Sequence, residues 1–225
     1  MKNLINQALI LCGGKGERLK PITNNIPKPL VKIGKEAILS HQIKYLCNQG
    51  IKKFIIATGY KSEEIKKFIE SEFNNLDIRI VDSGDVDILL RIKDCKNILE
   101  EIFLVCYGDT LANIDIKKLI QFHNSHDGEV SVSSYQLQSQ FGILKTNKEN
   151  LVIEFLEKPK LDAWINIGYF IFENSTNLVK NNFADFIEYL AKSEKLYCFK
   201  HRGLHITVNT IKELKEAEEN IKFFI

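Results

Sequence analysis

The sequence predicts an α/β fold: a doubly wound, mostly parallel, Rossmann-like sheet with a smaller mixed or antiparallel β layer beside it. Three observations predict it. Short apolar runs alternate with helix-length amphipathic segments through the first half of the chain. The first of these runs leads directly into a glycine-rich loop at 13–16, where such sheets place ligand-binding turns. From about residue 129 the pattern changes to strand-like stretches joined by short polar turns.

Residues 8–12 are wholly apolar, as expected of a strand buried on both faces. Gly13, Gly14 and Gly16 follow; they permit positive φ and close backbone approach, so that successive N–H groups can converge on an anion. Lys15, Arg18 and Lys28 supply cations, and Pro27 and Pro29 bracket Lys28, pushing it towards an extended conformation. The loop is neither of two better-known phosphate loops. Leu19 stands where a dinucleotide fingerprint needs a third small residue, and Lys15 is followed by Gly16 where a P-loop needs Ser or Thr.

Residues 36–48 read as a helix closed by Gly50, 53–57 as the next buried strand, 62–73 as a second helix and 77–81 as a third strand. Residues 86–99 read as helical, and 102–107 form the most apolar strand of the set. Ligands collect at the carboxyl ends of such strands, where the glycine loop, Gly59-Tyr60, Asp82-Ser83-Gly84-Asp85 and Gly108-Asp109 all fall. Asp109, after Tyr107 and Gly108, offers a carboxylate suited to Mg²⁺, an ion that takes one or two carboxylates together with substrate phosphates and water.

In the second half, 129–137, 142–145, 151–156 and 165–172 read as strands, 183–191 as helical, 196–199 as a strand, and a last helix runs from 211. Ile211, Leu214, Ala217, Ile221 and Phe224 recur at helical spacing, a face packed on the body or, alternatively, a contact of a homo-oligomer. Glu157-Lys158-Pro159 places an acid and a base at a rigid turn.

With 225 residues and 44% hydrophobic content, a single domain spanning 1–225 is expected, with a nucleotide-binding half at about 1–128 and an acceptor-binding half at about 129–225. The 31 basic and 29 acidic residues are mixed and give a net charge of +2, which argues against nucleic acid or an anionic membrane as the main partner. The five cysteines are widely spaced and sit mostly in apolar runs, pointing to a reduced, cytoplasmic compartment. His123 and His126 have no thiol partner nearby, which argues against a transition-metal site. The N-terminal apolar run is too short to span a bilayer, so neither anchor nor export signal is expected.

The motifs GGKGERLKP and IPKPLVKIG, then YGD, FLEKP and INIGYFIF, resemble in order and spacing the sugar-phosphate nucleotidylyltransferases over about 7–221. The turn VDSGD at 81–85, the stretch 103–109 and QFG at 140–142 are similar to the glucose-1-phosphate cytidylyltransferase branch, whose corresponding turn reads VDTGD. The resemblance implies a nucleotidyltransferase-type fold and an in-line reaction, in which an acceptor phosphate attacks the α-phosphorus of CTP and pyrophosphate leaves. It implies Arg18, Lys28 and Asp109 as catalytic residues, with Asp109 also binding Mg²⁺. It implies nucleotide contacts from Leu11, Gly13, Gly14, Gly16, Glu17, Arg18, Asp82, Ser83, Gly84, Asp85, Tyr107 and Gly108. Lys158, Glu157, Asn166 and Gly142 would meet the acceptor.

Three departures stand out. Asn209 occupies the place of a second metal-binding aspartate, Glu17 that of Thr or Ser, and the turn runs straight into Val86-Asp87-Ile88-Leu89-Leu90-Arg91, where the branch carries glycines. These fall where nucleotide meets acceptor. They point to an acceptor other than an ordinary hexose 1-phosphate: L-glutamine phosphate, giving CDP-L-glutamine in capsular polysaccharide biosynthesis. A sugar 1-phosphate is the alternative acceptor, and an inactive nucleotide-binding regulator the second alternative.

Overall fold

A computed structural model describes residues 5–224; the N-terminal expectation falls partly on 1–4, outside the described residues. In chain order the strands are β1 (Gln7–Cys12), β2 (Lys32–Ile33), β3 (Glu36–Ala37), β4 (Lys53–Thr58), β5 (Asp77–Asp82), β6 (Ile102–Tyr107), β7 (Thr110–Ala112), β8 (Val130–Gln138), β9 (Ile143–Thr146), β10 (Val152–Leu156), β11 (Lys160–Glu173), β12 (Leu196–His201) and β13 (His205–Thr207). The helices are α1 (Ile38–Asn48), α2 (Ser62–Glu72), α3 (Ile88–Cys95), α4 (Ile116–His123), α5 (Phe183–Lys192) and α6 (Ile211–Asn220).

Seven strands form one sheet in the order β12-β8-β11-β6-β1-β4-β5. The β6-β1-β4-β5 half is parallel throughout. Strands β6, β1 and β4 are largely apolar because helices cover both faces, α1, α2 and α4 on one side and α3 and α5 on the other, while β5 at the edge carries Asp77, Arg79 and Asp82. Strand β11 enters antiparallel to β6 and to β8, and β12 runs parallel to β8. Thus β8, β11 and β12 extend the main sheet. The small antiparallel parts are β9–β10, β7–β13 and β2–β3. The alternation along β11 explains its place: Ile167, Tyr169 and Ile171 enter one core while Phe170 and Phe172 enter the other.

Local chemistry moves several boundaries. Helix α3 starts at Ile88 because Asp87 caps it, its Oδ1 accepting from the Leu89 and Phe183 amides, both at 2.8 Å. Helix α1 starts at Ile38 because Glu36–Ala37 pairs with Lys32–Ile33. Sequence reading missed α4, although Asp115 ahead of Ile116 and Leu119 is an N-cap signal; its carboxylate accepts from the Lys118 amide at 3.0 Å. The face at the end of the chain packs on the body: Ala217 and Phe224 are buried, and Leu214 and Ile221 pack against Leu19, Ile38 and Val208, leaving Ile211 exposed.

Candidate active site

At the carboxyl edge of the parallel strands lies a cleft of about 360 Å³. The loop after β1 supplies Gly13, Gly14, Gly16, Glu17 and Arg18; the end of β6 supplies Tyr107, Gly108 and Asp109; Lys28 and Asn209 close one side. Gly16 takes φ +65, and a Cβ there would press on Thr23 and Lys28. Gly108 donates its amide to the Leu11 carbonyl at 3.0 Å, an approach that a Cβ would obstruct at 2.6 Å from Cys12 Sγ.

Lys28 is 7% exposed. Its Nζ lies 2.5 Å from Asp109 Oδ2 and 2.9 Å from Asn209 Oδ1. Arg18 Nη2 donates to that same Asn209 oxygen at 3.0 Å. Two cations and a carboxylate thus meet at one amide, and the Asn209 backbone is held by Glu213 Oε2, which accepts from its N–H at 2.7 Å. The expected extended conformation of Lys28 is corrected: Lys28 opens a 3-10 turn over Lys28–Leu30, and Pro27 is the extended residue, with φ −67 and ψ 146. Pro29 is tolerated there because the second position of such a turn needs no N–H donor.

Arg91 is the principal residue that sequence reading missed. It is buried, lines the cleft, and its guanidinium donates to the carbonyls of Gly84 at 2.7 Å, Gly13 at 3.3 Å and Thr58. Burial holds its pKa below the ordinary arginine value. A Cβ on Gly13 would fall 1.9 Å from Arg91 Cζ, so Gly13 makes room for this side chain, while one on Gly59 would fall 2.3 Å from the Gly84 carbonyl oxygen and 2.7 Å from Arg91 Nη1. The signal was a lone arginine one turn from Ile88 in an apolar segment. Leu89 and Leu90, which stand where the resemblance would place glycines, do not line the cleft: Leu89 is fully buried in the core and Leu90 is 39% exposed, leaving Ile88 and Arg91 to face the cleft.

The turn after β5 stands beside the cleft without lining it. Asp82 Oδ1 accepts from the Gly84 amide at 3.0 Å, the Ser83 hydroxyl is buried without a partner, and Asp85 pairs with Lys15 at 2.5 Å. Their mutual hydrogen bond raises the Lys15 pKa and lowers that of Asp85. Glu17 lines the cleft and pairs with Lys20. Cys12 is buried there with its thiol pushed up by desolvation, then by Asp109, which removes it as a nucleophile.

The four acceptor-side residues fall into two places. Gly142, Glu157 and Lys158 gather at the foot of the β9–β10 ribbon, where a Cβ on Gly142 would lie 2.5 Å from the Phe155 ring and 3.3 Å from Glu157 Oε2. None of the three lines the cleft. Asn166, on β11, does not line it either but touches Tyr107, which does: Nδ2 lies 3.4 Å from the Tyr107 hydroxyl, whose pKa burial raises, and Oδ1 accepts from the Gly168 amide at 2.7 Å. Among the described residues no group of three or more His, Cys, Asp or Glu side chains is placed to hold a metal ion. Asp109 with the neutral Asn209 oxygen is a hard-oxygen pair that fits Mg²⁺ only when substrate phosphates and water complete the shell.

The chain is 34% identical to a probable glucose-1-phosphate cytidylyltransferase of Bacillus subtilis, over 95% of each chain. It is 32% identical to a glucose-1-phosphate cytidylyltransferase of Salmonella typhimurium, over 92% of each. The crystal structure of HddC from Yersinia pseudotuberculosis superposes with a TM-score of 0.77 at 24% identity, covering 96% of this chain and all of that one, which shows the shared fold. The family model described as "Nucleotidyl transferase" matches residues 7–225, and the chain belongs to that family of enzymes.

Proposed function

We propose that the chain transfers CMP from CTP to the phosphate of a small acceptor. An acceptor phosphate oxygen bonds to the α-phosphorus, the bond from that phosphorus to the bridging oxygen breaks, and pyrophosphate leaves with the electron pair. The observation that carries this reading is the junction at Asn209, where Lys28 and Arg18 converge beside Asp109. Phosphoryl chemistry of this kind needs positioned positive charge in place of a protein nucleophile, because the acceptor oxygen is already anionic. Arg18 holds the triphosphate and stabilises the leaving pyrophosphate, Lys28 contacts the reacting phosphates, and Lys158 holds the acceptor phosphate. Asp109 would hold Mg²⁺, which would supply charge neutralisation at the nucleotide phosphates. CTP is supported by the VDSGD turn and by the names of the two cytidylyltransferase relatives.

Two acceptors stand level. A sugar 1-phosphate is supported by those same relatives. L-glutamine phosphate, with CDP-L-glutamine as a capsular polysaccharide precursor made in the cytoplasm, is favoured by Asn209, which gives the metal a neutral oxygen where the sugar-using branch offers a carboxylate. The test is pyrophosphate release with Mg²⁺ across a panel of nucleotides and acceptors. CTP is expected as the preferred nucleotide. Turnover with GTP or dTTP in its place overturns the nucleotide reading, turnover with glucose 1-phosphate alone selects the sugar reading, and nucleotide binding without any turnover selects the regulator.

A further inference from the structure

Beyond the cleft rim, β11 continues past the ends of the parallel strands, and Trp164 stands on it two residues before Asn166. In that stretch the register is unbroken, with Trp164 opposite Gln136, Ile165 opposite Tyr135 and Asn166 opposite Ser134. Trp164 and Asn166 therefore share one face of the sheet, about 7 Å apart along the strand. Ser134 is in turn opposite Lys200 on β12, so Asn166, Ser134 and Lys200 form a row across three strands on that same face. Lys200 Nζ lies 4.7 Å from the Trp164 ring centroid, and the Arg202 guanidinium carbon lies 5.9 Å from it. Neither cation has an ion-pair partner among the described residues.

Two unpaired cations against one indole are an arrangement that an anion completes. The ring face attracts each, by about 0.5–1 kcal/mol at such a site, while the two repel one another. A guanidinium and an ammonium together match a carboxylate, and the indole between them offers an apolar surface for a short methylene chain. The link to the reaction is Asn166, whose amide meets the Tyr107 hydroxyl at the cleft. An acceptor with its phosphate in the cleft would lay its far end over Trp164.

We infer that Trp164, Lys200 and Arg202 form the specificity-determining end of the acceptor site, selecting a phosphorylated acceptor that carries a carboxylate remote from its phosphate, as a phosphorylated amino acid does and a neutral hexose 1-phosphate does not. The inference rests on the acceptor lying on the Tyr107–Asn166 side of the cleft, and it deepens one of the two acceptor readings above.

Trp164 is the one tryptophan in the sequence, so intrinsic fluorescence reports on this place directly. Titration of the full chain, holding a non-hydrolysable CTP analogue, with L-glutamine phosphate is expected to change that fluorescence. The double variant Lys200→Gln/Arg202→Gln is expected to bind L-glutamine phosphate at least tenfold more weakly and to raise its KM to match, with kcat and the KM for CTP held within twofold. The charge-conserving variant Lys200→Arg/Arg202→Lys is expected to keep the affinity, which separates lost charge from lost folding. Equal affinity of wild type and the glutamine variant for L-glutamine phosphate, or tighter binding of glucose 1-phosphate by the wild type, overturns the inference. Repeating the titration without nucleotide keeps a failure of the CTP reading distinguishable from a failure of this one.

Discussion

Lys28 and Lys158 are both assigned to phosphates, yet they are held in opposite ways. Lys28 is buried, and its ammonium is fixed by Asp109 and Asn209 before any ligand arrives. Lys158 is exposed, with φ +44, at the foot of a two-stranded ribbon, and its backbone carbonyl is what other groups touch, accepting from Gln138 Nε2 at 3.2 Å. The ribbon presents Phe141 at 77% exposure and Ile153 at 64%. The cleft around Lys28 is a preorganised polar network, whereas the ribbon at Lys158 is an arm that little else in the chain supports. A two-stranded ribbon by itself is only marginally stable in water. The difference teaches that, under the proposed roles, charge is fixed in advance in the cleft and left adjustable on the ribbon.

Five measurements would break or sharpen this contrast. The largest effect is expected from Arg91→Met, which leaves the Gly84 carbonyl without a donor and removes one charged donor each from the Gly13 and Thr58 carbonyls; urea denaturation should show a loss of about 4 kcal/mol. A loss below about 1 kcal/mol would mean that the cleft is not built on this side chain. Acidification comes next, and it probes the rigid sheet away from the site. His123 is buried with Nδ1 2.9 Å from Ser131 Oγ, and its pKa is depressed to about 4, by burial first and then by His126. Since the folded value lies below the unfolded one of 6.5, its contribution is complete above pH 6.5 and is lost as pH falls towards 4, a decline of up to about 3 kcal/mol. His123→Gln should flatten that slope in denaturation curves taken between pH 7 and pH 4.5.

Within the cleft, Lys28→Ala or Asp109→Asn should lower pyrophosphate release by about a hundredfold or more, the effect of removing one electrostatic stabiliser. Unchanged rates in both would dissolve the site as drawn. On the arm, Lys158→Met should raise the acceptor KM by about tenfold, an effect of about 1.4 kcal/mol, while the KM for CTP stays put. The smallest effect belongs to Ile153→Thr, which should shift stability by no more than about 0.5 kcal/mol because that side chain has little burial to lose. A larger loss would show the ribbon to be better supported than its exposure suggests.

The parallel half of the fold was legible because β1, β4 and β6 are apolar on both faces and its turns carry glycine. The fate of β8 and β11 was not, because a strand of alternating character pairs equally well in a separate layer or at the end of a larger sheet, and the choice is made by long-range contacts with Cys106 and Phe103. In the site, Lys28, Arg18 and Asp109 could be named from their motifs, but their meeting at Asn209 joins segments about 180 residues apart in sequence. Lys15, read from the sequence as a cation of the phosphate loop, pairs with Asp85, a partner 70 residues away that no local pattern reveals. Glu17, a carboxylate that the chemistry had no use for, sits beside Lys20, three residues on, a spacing that makes such pairs readable in advance.

The fit of Arg91 against Gly13 and Gly59 bears on how this cleft can change over generations. With 1.9 Å between the guanidinium carbon and the site of a Cβ on Gly13, a side chain cannot appear at position 13 while the arginine remains in place. Such a change requires the guanidinium to leave its place, which strips the Gly84 carbonyl of its donor and the Gly13 and Thr58 carbonyls of one donor each. Positions 13 and 91 are therefore coupled through space although distant in sequence, and grafting the glycine loop onto another scaffold without its arginine would transfer the shape of the loop while leaving behind the group that it was shaped around.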